Sequence, residues 1–286
     1  MGDARRLSQR PRDPSKPVQP REVAFIPGAS PEVHKATSGT SAHPCATHSC
    51  RSTFGLQLIG GENMADSQTR PLAQRAMESA AIVRIYESRF WRRSLAARFM
   101  LGLPFEREYQ LILESARLDA ASDVLDLACG SGIYSRPFAR AAGGGRVVGL
   151  DLSPAMLAHA RRLAAKDRLG NLFFVRGDAQ RLPFPAASFD LVNCCGALHL
   201  FPEPARALAE VWRVLQPHGR FTAAVARRDA GALGLLAGLL RRFGVVSFSP
   251  SELEIKLHEA GFDDVRVHHA RALWLVVSAR KPMASM

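Results

Sequence analysis

Val124-Leu-Asp-Leu-Ala-Cys-Gly-Ser-Gly-Ile-Tyr-Ser135 is the stretch on which the reading of the chain turns. Val124 to Leu127 is a short apolar run with one carboxylate, Asp126, and reads as a buried strand. A tight turn on Gly130 and Gly132 follows, then a helix expected over 133–142. Glycines at such a turn let the backbone come within contact distance of a ligand, because no Cβ stands in the way. The start of the helix offers its unpaired N–H groups to the same place. The stretch therefore predicts a ligand site at the carboxyl end of a strand.

Two details separate this turn from one that holds a pyrophosphate. The third glycine of the dinucleotide fingerprint is absent, and Ser135 stands there. A carboxylate also sits in the approach to the loop, which suits an ammonium or a sulfonium better than a phosphate. A second strand, expected over 146–150, ends in Asp151, 21 residues after Gly130. A carboxylate at that strand end can accept hydrogen bonds from both ribose hydroxyls. A ribose, a cationic group and no phosphate together describe S-adenosylmethionine (SAM).

Asp126-Leu-Ala-Cys-Gly-Ser-Gly132 is followed by Val148-Gly-Leu-Asp-Leu-Ser-Pro-Ala-Met156, Gly177-Asp-Ala-Gln-Arg-Leu-Pro-Phe184 and Ser188-Phe-Asp-Leu-Val192. In this order and spacing the four blocks resemble class I SAM-dependent methyltransferases, nearest to the branch with the ubiquinone and menaquinone biosynthesis enzymes. The resemblance spans roughly residues 105–280. It implies an α/β fold, a Rossmann-like doubly wound sheet of seven strands, with the last two as an antiparallel hairpin beside the fifth. It implies SAM as cofactor, with Asp126 toward the methionine end and Asp151 on the ribose. Asp178 would accept from the adenine amino group and Ala179 would supply a backbone N–H; taken alone, Asp178 reads as an Asx turn after a strand. Ala128, Gly130, Gly132, Leu152, Met156 and Cys195 complete the implied cofactor set.

On the acceptor side the resemblance is less informative. A small apolar or aromatic acceptor (quinol, phenol or lipid-like) is expected, methylated by in-line displacement. His199, just past the fourth strand, is the candidate catalytic base, since an unperturbed imidazole titrates near 6.5. A loop histidine that packs against its surroundings is the alternative. A tRNA or protein methyltransferase and a SAM-binding module without turnover also stay open, with a dinucleotide-dependent oxidoreductase a distant fourth.

The 286 residues suffice for one sizeable domain with extensions. The net charge of +12 comes with scattered arginines and no appended basic-aromatic module, so no nucleic-acid partner is expected. Cys45, Cys50, Cys129, Cys194 and Cys195 form no disulfide framework, which points to a reducing, cytoplasmic setting. No apolar core follows Arg5 and Arg6, so no signal peptide is expected.

Residues 1–63 are rich in proline without a helical or strand period, and read as a disordered tail. Within them His43, Cys45, His48 and Cys50 match no common zinc spacing, so no metal site is expected. Residues 64–104 read as a helical extension from Pro71, with Tyr86 and Trp91 either on a packing face or lining a lid. The methyltransferase domain is expected over 105–286. Within it, the glycine-interrupted apolar run Ala230 to Leu240 is a buried helix or part of an apolar flap over 230–248 able to touch a membrane surface. The oligomeric state is open.

Overall fold

Val124–Leu127 is a strand buried along its whole length, β1, and it lies inside a seven-stranded sheet. The computed structural model describes residues 101–228, 242 and 244–283, all within the compact unit Ile59–Met286. The expectations for the tail, the His43–Cys50 cluster, the helix from Pro71 and the run Ala230 to Leu240 fall outside the described residues.

Helix α1 (Phe105–Ala116) precedes β1. Then come α2 (Ser135–Ala141), β2 (Val147–Asp151), α3 (Pro154–Lys166), β3 (Leu172–Arg176) and β4 (Phe189–Cys195). A 3-10 turn (Leu198–Leu200) leads to α4 (Pro204–Val214) and β5 (Leu215–Ala226). Helix α5 (Pro250–Glu259) and strands β6 (Asp263–Arg271) and β7 (Trp274–Arg280) complete the set. The sheet order is β3-β2-β1-β4-β5-β7-β6, with β1 to β5 parallel and β7 antiparallel to both β5 and β6. This is the doubly wound seven-stranded architecture the resemblance implies.

Local chemistry explains the helix starts. Ser153 caps α3 by accepting from the Met156 N–H at 3.3 Å, and Pro154 takes the first helical position, where a missing N–H costs nothing. Ser249 and Pro250 do the same for α5, with the Glu252 N–H at 3.1 Å. Helix α1 lays Ile112 and Ala116 on one face of the sheet, in a core that includes Val124, Leu191, Ala224 and Val276. A side chain as buried as Ile112 is worth about 1.5–3 kcal/mol relative to exposure.

One element departs from its expectation. Pro217-His-Gly219 reads in the sequence as a break, with the strand starting at Arg220. Instead β5 begins at Leu215, directly after α4. Phe189 pairs with Leu215 but Leu191 with Arg220, so residues 216–219 form an excursion from the ladder, with His218 at φ +64°. Backbone bonds tie it to the end of the sheet, His218 N–H to the Lys281 carbonyl and Lys281 N–H to the Gly219 carbonyl, both 2.9 Å. The Lys281 ammonium lies 3.9 Å from the Trp212 ring centre and donates to the carbonyls of Trp212 and Leu215. It thereby satisfies carbonyls that the end of α4 leaves unpaired.

Candidate active site

In a doubly wound sheet the crevice for ligands opens where the strand order reverses, here between β1 and β4. A cavity lies there at the carboxyl ends of the strands. The turn after β1 contributes Ala128, Gly130, Ser131 and Tyr134; β2 and α3 contribute Asp151, Leu152 and Met156. Asp178 and Ala179 follow β3, and Cys195 closes β4, with Leu200 and Phe201 beyond it. Eight of the expected cofactor residues are thus brought together: Ala128, Gly130, Asp151, Leu152, Met156, Asp178, Ala179 and Cys195.

The turn is held open by backbone geometry. Ala128 and Gly130 both adopt left-handed φ, +53° and +54°. A Cβ on Gly130 would meet nothing nearer than the Met156 sulfur at 4.0 Å, so the turn's backbone borders open space. The Asp151 carboxylate fixes the turn from below, accepting from the Gly130 N–H and the Ser153 N–H, each at 2.8 Å. Asp178 accepts from the Gln180 N–H at 2.9 Å, which is the Asx-turn geometry.

Asp126, Gly132 and His199 are placed differently. At Gly132, with φ +76°, a Cβ would stand 3.3 Å from Phe174 and 3.5 Å from Ala160, so this glycine serves the packing of the turn on α3 and β3. Asp126 is buried beneath the turn. It accepts from the Ser135 hydroxyl and, at 2.7 Å, from the Asn193 amide, whose oxygen in turn accepts from Thr222 at 2.9 Å and the Cys195 thiol at 3.1 Å. Burial pushes the Asp126 carboxyl up to about 6, against the pull of these hydrogen bonds. The 3-10 turn after β4 carries His199 under the cavity wall. Its Nδ1 accepts from the Ala226 N–H at 3.3 Å, and its ring meets Trp274 edge-on at 5.7 Å between centres. Burial lowers the imidazole to about 4, so it is neutral at pH 7, with the proton assigned to Nε2 from its hydrogen bonding.

Two groups at the site are ones the sequence did not single out. The Ser131 hydroxyl is buried at the cavity and has no hydrogen-bond partner. Leaving such a group unsatisfied costs about 1–3 kcal/mol. Together with the open Gly130 turn, it fits a polar ligand portion such as an amino-acid end. The second is Glu108 of α1, only 3% exposed. Its Oε1 accepts from the Tyr134 hydroxyl at 3.0 Å and the Trp274 indole N–H at 2.9 Å, and burial raises its carboxyl. A carboxylate four residues before Ile112, on the face the helix buries, was the available signal. Tyr134 also stacks with Tyr109 and tilts against Phe105, each at 6.2 Å between centres.

Comparison with known proteins bears on the family and the fold. The methyltransferase-domain family profile matches residues 124–219, from β1 into the β5 excursion. Two uncharacterized chloroplastic methyltransferases of Arabidopsis thaliana are 31% and 30% identical, over 64% and 72% of this chain; the chain spans 53% and 59% of their lengths. The demethylmenaquinone methyltransferase of Thermus thermophilus is 35% identical over 52% of this chain and 71% of its own. A crystal structure of a SAM-dependent methyltransferase from Aquifex aeolicus aligns with a TM-score of 0.55 at 20% identity, over 71% of this chain and 98% of that one, a likeness of fold. Sheet order, motif blocks and relatives converge, and the chain belongs to the class I SAM-dependent methyltransferases.

Proposed function

We propose that the cavity holds SAM with its adenosine over β2 and β3 and its methionine end over β1 and β4, and that the acceptor is a small apolar or aromatic molecule of quinol, phenol or lipid-like type. The observation that carries this is the division of the wall. Carboxylates Asp151 and Asp178 follow β2 and β3 on one side of the crevice; Tyr134, Leu200 and Phe201 follow β1 and β4 on the other. In this reading Asp151 takes the ribose hydroxyls, Asp178 the adenine amino group, and Ser131 the amino-acid end. Asp126 supports the turn and places negative charge beneath the cationic portion of the ligand.

SAM supplies a methyl group on a sulfonium, which is already a good leaving group. The residues here need only orient it and exclude water, and orientation can supply about 7–11 kcal/mol of barrier reduction. Tyr134, which lines the cavity and packs with Phe105 and Tyr109, offers an apolar surface for the acceptor. Neutral, buried and bonded through Nδ1, His199 is a weak base. This favours a carbon acceptor on an electron-rich ring over an alcohol that must first lose a proton. The name of the Thermus relative, a demethylmenaquinone methyltransferase, is compatible with that class.

The compartment is read as reducing from the free thiols of Cys129, Cys194 and Cys195; the two Arabidopsis relatives are described as chloroplastic. Among the described residues no helix is long and apolar enough to cross a membrane. The test is transfer of a labelled methyl group from SAM to a panel of quinols, phenols and lipids, with tRNA and protein as controls. Label on an aromatic small molecule is expected. Label on tRNA or protein alone would overturn the acceptor class.

A further inference from the structure

Glu108 is a buried carboxylate that neither the motif blocks nor the family match includes, since the match begins at Val124. It is held from three directions. Its own helix brings it to the sheet, Tyr134 donates from the turn after β1, and Trp274 donates from β7. Tyr134 is itself part of the cavity wall, and Cys195 lines the same cavity at the end of β4. Glu108 therefore stands behind the β1–β4 end of the cavity, opposite the end that carries Asp151 and Asp178.

That end is where the charge of the donor changes during the reaction. SAM enters as a sulfonium and leaves as S-adenosylhomocysteine, a neutral thioether; the methyl group carries the positive charge to the acceptor, which then releases a proton to solvent, so the donor's place in the site loses one positive charge with each transfer. A carboxylate held in low dielectric nearby favours the cationic form over the neutral one, by tenfold or more even several ångströms away. We propose that Glu108, fixed by Tyr134 and Trp274, is a counter-charge, beside that of Asp126, by which this site prefers the sulfonium donor over its thioether product. It acts across the Tyr134 ring and is a specificity-determining positioning residue. The ring face adds attraction for the same cation. Burial opposes ionisation of Glu108, while an adjacent cation favours it, so the cationic ligand selects the charged form. The consequence is a built-in release step: once the methyl group has gone, the attraction that held the ligand has gone with it.

The inference rests on the cavity holding SAM, and its test separates the two. Glu108→Gln keeps an oxygen to accept from Tyr134 and Trp274 but carries no charge. Binding of SAM, S-adenosylhomocysteine and sinefungin, in which a protonated amine replaces the sulfonium, is measured by calorimetry on wild type and variant. The variant is expected to lose about tenfold or more for SAM and sinefungin, with S-adenosylhomocysteine changed less than about threefold. Tyr134→Phe removes one hydrogen bond and leaves the carboxylate, so it should keep the preference for the cationic pair. Equal losses for all three ligands in Glu108→Gln would show a merely structural role and overturn the inference, as would no loss at all. If Glu108→Gln fails to fold, the wild type decides: S-adenosylhomocysteine bound as tightly as SAM and sinefungin, or more tightly, overturns the inference. Wild-type protein that binds none of the three would refute SAM in the cavity rather than the role of Glu108.

Discussion

Replacing Asp126 by Asn should raise the protein's stability relative to wild type as pH climbs from acid to neutral. The Asp126 carboxyl is raised from 3.8 to about 6 by burial. A carboxyl raised in the folded state contributes stability below pH 3.8 and loses it as pH climbs through about 6. At about 1.36 kcal/mol per pKa unit, the loss is about 3 kcal/mol. His199 runs the other way. Burial lowers it from 6.5 to about 4, so its contribution is present above pH 6.5 and is lost as pH falls through about 4. That is again about 3 kcal/mol. Between pH 4 and 6.5 the two nearly offset each other in the wild type. Asp126→Asn removes one side of the balance; its carboxamide can accept from Asn193 and donate to the Ser135 hydroxyl, while the Ser135 backbone N–H loses its acceptor, a cost that does not vary with pH. Urea unfolding at half-unit steps from pH 4 to 8 should give a difference between variant and wild type that moves in the variant's favour by about 3 kcal/mol between pH 4 and 7.5. In thermal terms this is roughly 6–12 °C for a domain of this size. An offset that does not change with pH would refute the reasoning, since it would place the effect in packing rather than in ionisation.

Asp151→Ala should weaken SAM about 10- to 100-fold by calorimetry, and the Gly130 amide, losing its 2.8 Å partner, should exchange its hydrogen faster in the free protein. Ser131→Ala should leave the ligand-free protein as stable or up to about 1 kcal/mol more so, because it deletes an unpartnered buried hydroxyl, while lowering SAM affinity several-fold. A drop in stability would mean that the hydroxyl has a structural bond. Ala128→Gly relieves a left-handed conformation that costs an alanine about 1–2 kcal/mol, against roughly 0.5–1 kcal/mol of added chain entropy in the unfolded state. Net stabilisation of up to about 1 kcal/mol is expected in chemical denaturation, and destabilisation would contradict the φ at this residue.

The parts of the fold that were legible are those whose signals are local. Ser153-Pro154 marks a helix start by its own chemistry, and Asp151 marks a strand end by its spacing from Gly130. Contacts that join distant segments left no such mark. The oxygen of Glu108 meets donors 26 and 166 residues away, and no period in the sequence couples those positions. His199 was legible as a histidine near the crevice but not as one turned under it, because a single 3-10 turn sets the direction of its ring. Asp126 was legible as a carboxylate at the turn, but its side depends on the pleat, which points it down to Asn193 and Ser135. Pro217-His-Gly219 has the composition of a break. It lies within a strand because the ladder resumes beyond it, and only the neighbouring strand shows that.

The sheet order also bears on how the protein is made. β6 leaves the ribosome before β7, yet its only partner in the sheet is β7, which must insert between it and β5. The β5 edge and the whole of β6 therefore stay unpaired until residues 274–280 have emerged and inserted. Val267, 44% exposed even in the finished sheet, lies on that waiting strand. A released chain truncated before Trp274 would therefore present an open, partly apolar strand edge to its neighbours, and is the species that chaperones should be found holding.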